Sequence, residues 1–273
     1  MTQSVNWHRP ELVIPIEQLS AFADGPFNGN PAAVCLLDQW LPEALMQAIA
    51  AENNLSETAF VVSEADRHAL RWFTPRCEVE FCGHATLAAA AVLFRQAPAM
   101  ATLTFATRSG ALQVERNGAL LTLKGPALIA AACPTPAALV EALGVEPRQC
   151  LRSSDWLVVF DRQSTIEALA PAMDQLASLE GRGVIVTAPG DDVDFVSRFF
   201  APGIGIAEDP VTGSAHCILM PYWAKRLGRS ALQARQLSQR GGLLHCRLED
   251  NQVLISGRVV PYLRGNLVLP NPI

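Results

Sequence analysis

The chain alternates between short apolar runs and dense turn clusters, and one run differs from the rest. Residues 81–94 read FCGHATLAAAAVLF, and from Ala85 onward the positions are almost all Ala, Leu or Val. A helix that is apolar on every face is a buried helix, and one this short cannot span a bilayer. Its start has another character, because Cys82, Gly83 and His84 are small or reactive. The first N–H groups of a helix lack intrahelical partners and carry partial positive charge. A buried helix that opens on Gly-His therefore aims donors and an imidazole at one point, which suits an anion. Read alone, the same stretch is equally a core helix with an ordinary glycine start.

The other elements follow from similar patterns. Residues 12–19 alternate weakly, as a first strand does. Residues 21–31 (AFADGPFNGNP) are dense in turn formers, and residues 32–37 make a short apolar strand. From Trp40, LPEALMQAIAAENN has helical spacing, with Pro42 in the first turn and Asn53-Asn54 at the end. Glu57 stands immediately before a strand at 59–62, among apolar neighbours. Burial at that strand mouth would suit a carboxylate to carry protons near neutral pH; taken singly, a solvated loop glutamate is the plainer reading. Residues 69–75 (ALRWFTP) give a strand leading into the central helix, and residues 102–106 another. Residues 110–126 (GALQVERNGALLTLKGP) give a hairpin with Asn117-Gly118 as its turn. The Pro- and Ala-rich stretch at 126–147 places a domain boundary near 126–134.

The second half repeats the first. Arg71-Trp72-Phe73-Thr74-Pro75 matches Arg198-Phe199-Phe200-Ala201-Pro202, an offset of 127. Cys82-Gly83-His84-Ala85 matches Thr212-Gly213-Ser214-Ala215, an offset of 130. Gly110, Leu112, Leu121, Leu123 and Gly125 match Gly242, Leu244, Val253, Ile255 and Gly257, an offset of 132. The order strand, turn, buried helix, hairpin is kept. The expected architecture is α+β, with two pseudo-symmetric lobes, each a mainly antiparallel sheet or barrel wrapped around a central buried helix. The first lobe is residues 1–127 with helix 82–95, and the second is residues 128–258 with helix 212–227. Residues 259–273 are expected to pack back on the first lobe. A pseudo-twofold axis would bring both helix starts to one cleft, so that a ligand meets Gly83 and His84 from one side and Gly213 and Ser214 from the other. Ahead of the second helix, Asp209-Pro210 is a turn pair, and Thr212, Gly213 and Ser214 supply caps and N–H donors. Singly, Asp209 and Ser214 read as capping residues, while His216 and Cys217 read as core.

Composition narrows the classes. Half of the 273 residues are hydrophobic and only 17% are charged, so large cores can form and disorder is not expected. A net charge of −5 leaves no basic footprint for nucleic acid. Residues 1–10 hold no apolar leader core, and no run reaches membrane-spanning length. The seven cysteines form no framework, which fits free thiols in a reducing, cytoplasmic setting. Cys77 and Cys82 lack a second ligand pair at metal-site spacing, so no metal is expected. No phosphate-cradling loop, nicotinamide fingerprint or pyridoxal lysine context is apparent, so no cofactor is expected. His8, His68 and His245 have no acidic or thiol company in sequence.

Glu57 in NLSETAFV, His84 in CGHATLAAA, and Asp209 and Ser214 in EDPVTGSAH together closely resemble the PhzF-like family of phenazine biosynthesis, which is related to diaminopimelate epimerase. The resemblance runs from SAFADGPFNGNPAAVCLL at Ser20 to SGRV at Ser256. It implies two similar lobes around central helices, a cofactor-free isomerase of small acidic metabolites, and a homodimer. It also implies that Glu57 is the proton-shuttling carboxylate and that His84, Asp209 and Ser214 orient the substrate. Diaminopimelate epimerase uses two opposed cysteines, whereas here Cys82 is matched by Thr212, so a two-thiol racemase is not supported. A metabolite- or protein-binding member without turnover is the rival reading. A Cys82–His84 thiol pair is weaker, because residues two apart on a helix do not face each other.

Overall fold

Strand pairing in a computed structural model, which describes residues 11–64 and 67–270, repeats itself once along the chain. Residues 1–10, read above as lacking a leader core, lie outside the described residues, as do 271–273. The first half contains β1 (Glu11–Ala21), β2 (Asn30–Leu37), α1 (Glu43–Asn53), β3 (Glu57–Glu64), β4 (Arg67–Phe73), β5 (Glu78–Val79), α2 (Gly83–Gln96), β6 (Thr102–Thr107), β7 (Gly110–Asn117) and β8 (Leu120–Pro126). The second half starts with β9 (Ala131–Ala132), α3 (Ala137–Leu143), β10 (Gln149–Arg152), β11 (Trp156–Val159), α4 (Gln163–Ala168) and α5 (Met173–Ala177). It continues with β12 (Val184–Pro189), β13 (Phe195–Phe200), α6 (Gly213–Leu227), β14 (Ala231–Gln236), β15 (Gly242–Glu249) and β16 (Gln252–Gly257). A last strand, β17 (Val259–Pro270), pairs antiparallel with β1.

The duplication is visible in strand directions. In the first half β1–β2 is antiparallel, β2–β3 parallel, β3–β4 antiparallel, β4–β6 parallel, and β6–β7–β8 antiparallel. The second half gives the same series through β10–β11, β11–β12, β12–β13, β13–β14 and β14–β15–β16. The halves join where β8 pairs antiparallel with β16. There Leu123 faces Ile255, its own repeat counterpart, while Thr122 faces Ser256 and Lys124 faces Leu254. A pseudo-twofold axis therefore passes between Leu123 and Ile255. Each half also repeats a buttress ahead of its central helix. Arg71 Nε donates to Glu78 Oε1 at 2.7 Å, and Arg198 Nε donates to Glu208 Oε1 at 2.7 Å.

The central helices are buried as their apolar sequences require. In α2 every residue from His84 to Ala90 is buried, with Val92, Leu93 and Phe94. One core runs through both α2 and α6, from Leu87 and Phe94 to Trp223 and Leu244. Two outer cores lie beneath α1 and beneath α3–α5. Among the described residues no helix is long and apolar enough to cross a membrane.

Some boundaries differ from expectation. Pro42 is the N-cap of α1 rather than a first-turn residue, and Asn54 closes the helix in the left-handed region. Glu57 is the first residue of β3, not a loop residue ahead of it. The hairpin turn falls on Gly118-Ala119, because Asn117 pairs with Leu120. That register puts Val114, Leu121 and Leu123 inward, and burial of one face fixes register. Gly118, at φ +59, takes the first loop position.

Gly257, beside the lobe junction, has no room for a side chain. An added Cβ would stand 2.5 Å from Phe22 Cδ1 and 3.1 Å from Phe22 Cα. Phe22 is fully buried, so overpacking here should destabilise Gly257→Ala by about 1–3 kcal/mol. Gly265→Ala, whose methyl meets nothing, should change stability by less than about 0.5 kcal/mol. Denaturant midpoints of the two variants check this; equal midpoints would contradict it.

Candidate active site

Two sets of polar side chains gather at the helix starts. The first belongs to the N-terminal half. Glu57, 9% exposed, begins β3 and pairs across β2 with Ala32. Its Oε2 lies 2.9 Å from His84 Nε2 in the first turn of α2. The two atoms are within ion-pair distance, and both side chains are buried. Cys82, the N-cap of α2, sits with Sγ 3.5 Å from His84 Nδ1.

That last contact corrects the sequence argument about residues two apart. The helical spacing rule does not reach Cys82, whose backbone is extended at φ −146 and ψ 106. An extended cap turns the thiol back over the imidazole. Reactivity does not follow from closeness, however. Burial, and then the nearby Glu57 charge, push the Cys82 thiol up to about 11, so it is protonated at neutral pH.

Burial alone would lower the His84 pKa, yet its neighbours hold it well above the usual histidine range. Among those neighbours Cys82 contributes most and Glu57 next. Glu57 and His84 thus face each other shielded from water. The Glu57 oxygen, Cys82 sulfur and His84 nitrogen also lie within 4.8 Å of one another, a donor set that a divalent ion could use. The cysteine spacing that argued against metal could not reveal this trio, since Glu57 arrives from another strand.

The second set belongs mostly to the C-terminal half. Asp209 accepts from Thr212 Oγ1 at 2.6 Å and from Asn30 Nδ2 at 2.8 Å. Asn30, wholly buried at the start of β2, also donates to the Val211 carbonyl at 2.9 Å. It thus ties the first half to the second. Gln236 accepts from the Thr212 N–H at 2.8 Å and donates to the Asp209 carbonyl at 2.8 Å. Burial raises the Asp209 carboxyl, His84 opposes that rise, and Glu57 adds to it. Asp209 therefore lies within the electrostatic reach of both residues of the first set.

Ser214 does not cap its helix. Its Oγ accepts from Arg182 Nη1 at 3.0 Å. Arg182 is clamped by Asp155, which is 0% exposed and takes Nε at 2.9 Å on one oxygen and Nη2 on the other. Asp155 outweighs the effect of burial and, with Asp209, keeps the Arg182 guanidinium charged. Pairing registers explain its place. With Phe73 equivalent to Phe200, Thr58 corresponds to Val184, and so Ser56-Glu57 corresponds to Arg182-Gly183. The same connection thus supplies an acid in one half and a cation in the other. Gly183 cannot be replaced by a second glutamate, since even a Cβ would stand 2.6 Å from Phe199 Cζ.

Neither helix start carries a side-chain cap. Gly83, Gly213 and the residues around them keep backbone donors that a bound anion can take. His216 turns the other way: its Nδ1 lies 2.8 Å from the Thr212 carbonyl, and burial lowers it to about 4, as a core histidine. The sequence places Asn30 and Asp155 only within stretches expected to wall the pocket, residues 23–31 and 153–156, and gives Arg182 and Gln236 no role. The one local signal was the pair of glycines around Arg182, of which Gly181 has φ +114.

A buried glutamate, a histidine and a clamped arginine gather around the two helix starts. The family model described as phenazine biosynthesis-like protein matches residues 19–265, and the chain belongs to that family. It is 52% identical to an uncharacterized isomerase of Pseudomonas aeruginosa, over 94% of this chain and 100% of that protein. It matches the crystal structure of a PhzF-family phenazine biosynthesis protein from Enterococcus faecalis at a TM-score of 0.92 and 46% identity, over 94% and 99% of the two chains. A hydroxyproline epimerase from Agrobacterium vitis shares the fold at a TM-score of 0.62 and 10% identity, over 98% and 95%.

Because Glu57 is one of the neighbours that raise His84, Glu57→Gln should lower the His84 pKa. The ion pair stabilises fully below the ordinary histidine value of 6.5, and its contribution fades as pH rises through the raised one. The stability gap between wild type and Glu57→Gln should therefore narrow as pH rises into the alkaline range. Imidazole NMR titration with urea unfolding at several pH values measures both. An unchanged His84 titration would contradict the pairing.

Proposed function

We propose that this protein is a cofactor-independent isomerase that moves a proton between carbons of a small carboxylate-bearing metabolite. Glu57 is its general acid/base. The observation that carries the proposal is the buried contact of 2.9 Å between Glu57 Oε2 and His84 Nε2. A carboxylate held against the His84 ring is fixed in orientation and shielded from bulk water, as a positioned acid/base must be.

In this reading the Glu57 carboxylate takes a proton from an activated C–H of the substrate. The C–H electron pair spreads into the adjoining unsaturated system, and Glu57 returns the proton to another carbon. No atom is gained or lost, so the net change is isomerisation. The substrate carboxylate lies against Arg182, Ser214 Oγ and the first N–H groups of α6, whose dipole contributes about 0.3–2 kcal/mol. Asp209, tied to Asn30 and Thr212, orients the substrate from the side facing His84. A homodimer is part of the proposal and follows from the family resemblance.

Glu57→Gln should lower turnover by about 10²- to 10⁴-fold while ligand binding stays nearly intact, because the amide keeps the shape and loses the base. Candidate amino and hydroxy acids, cyclic and linear, incubated in D₂O with wild type should take up deuterium at carbon, and Glu57→Gln should not support this. Uptake unaffected by the substitution ends the proposal; absence of uptake across the screen favours a non-catalytic binder. Arg182→Gln should raise KM at least tenfold with a smaller effect on kcat, since it removes a charge-assisted contact to the carboxylate. Steady-state kinetics on the best substrate read this split.

A further inference from the structure

A second pocket lies at the far end of α6, away from the helix start. It is a cavity of about 500 Å³ lined by Ile129, Leu151, Pro221, Tyr222, Lys225 and Arg226, with Arg148 at its rim. Ile129 is 75% exposed, so an apolar side chain faces solvent at the mouth. Arg148 is paired with Asp161 at 2.8 Å. Arg226 donates to Tyr222 Oη at 2.9 Å and stacks over Trp223. Among the described residues Lys225 has no ion-pair partner.

The duplicated fold shows what is missing. Helix offsets make Lys225 the counterpart of Arg95. Strand registers make Leu151 the counterpart of Glu17: Gln18 pairs with Ala33 as Arg152 pairs with Trp156, and the next residues are Glu17 and Leu151. In the first half Glu17 is in contact with Arg95 and with Arg264 Nε at 3.4 Å, so an internal carboxylate fills the position. In the second half the cation is kept, the carboxylate has become leucine, and β9 covers far less of β10 than β17 covers of β1. Basic residues in a last helical turn are also favoured by the helix dipole. Charge alone would therefore not mark a site. The open cavity and the vacated acid position do.

We infer that this groove binds a small monocarboxylate with an apolar body, whose carboxylate takes the place that Glu17 holds in the other lobe. The carboxylate pairs with Lys225 and Arg226, and the apolar part lies on Ile129, Leu151 and Pro221. Small-molecule pockets combine these features at this size.

The chain has two tyrosines, Tyr222 and Tyr262, so fluorotyrosine labelling gives two ¹⁹F resonances, assigned with Tyr262→Phe. Octanoate should shift the Tyr222 resonance saturably, and octanamide at the same concentrations should not. Leu151→Glu restores the internal acid and should weaken octanoate binding at least tenfold, as should Lys225→Gln, which keeps the test open if Leu151→Glu does not fold. Glu57→Gln should leave the response unchanged, which separates this groove from the cleft. The inference is overturned by a missing saturable shift, by an equal response to octanamide, or by full affinity in both groove variants. It is also overturned if the Tyr222 resonance moves with protein concentration and Leu151→Glu dissociates a dimer, for the groove then belongs to a second copy of the chain.

Discussion

Six residue pairs between β8 and β16, from Gln252–Pro126 to Gly257–Leu121, set the geometry on which everything else depends. Antiparallel pairing of two equivalent strands creates a twofold relation by itself, and here that relation centres on Leu123 and Ile255. The central helix of each half is fixed to its own strands. Joining the strands therefore fixes the two helices relative to each other. Glycines are required at this point because the connection between β1 and β2 is drawn tightly against it. Phe22 packs onto Gly257 and near Gly213, while Cys217 of α6 packs onto Gly125. Asn30 then bonds to Asp209 and Val211 across the two halves.

Given such a frame, chemistry arises where the two copies differ. The Arg71–Glu78 and Arg198–Glu208 buttresses are kept in both, as a scaffold needs. At the cleft the copies diverge: Cys82 against Thr212, His84 against Ser214, and Ser56-Glu57 against Arg182-Gly183. The outcome is one side carrying an acid with its own cation, and another carrying a cation with its own acid. Each charge has a partner within its lobe, which limits the cost of burying it. The Arg182 side chain remains 39% exposed, while the Asp155 side chain that clamps it is fully buried.

Much of this was legible in sequence because it is local. The all-apolar run predicted α2, alternation predicted the hairpin, and three spaced matches revealed the duplication. Glu57, His84, Asp209 and Ser214 stood out through motif context. What the sequence does not show are the partners that come from long-range contact, even where the stretch, as at 23–31, is expected to wall the pocket. Asn30 is 179 positions from Asp209, and Arg182 is 27 from Asp155 and 32 from Ser214. Cys82 and His84 meet for another reason, because helical spacing does not govern a cap residue whose backbone is extended. The hairpin turn slipped by one residue because burial of Val114, Leu121 and Leu123 outweighs the preference for Asn-Gly.

The number of bases in the cleft bears on the kind of isomerisation. Inverting a carbon centre with two bases requires one group on each face of the substrate, as two opposed thiols would provide. Here the position opposite Cys82 is Thr212, whose hydroxyl is committed to Asp209, and Cys82 itself is held protonated by burial. Glu57 has no carboxylate counterpart, because Gly183 leaves no space for one. A single base takes and returns a proton on the face it occupies. In the proposed reaction, the proton therefore migrates along one face of a conjugated carboxylate, and the cation opposite holds the substrate still while it does.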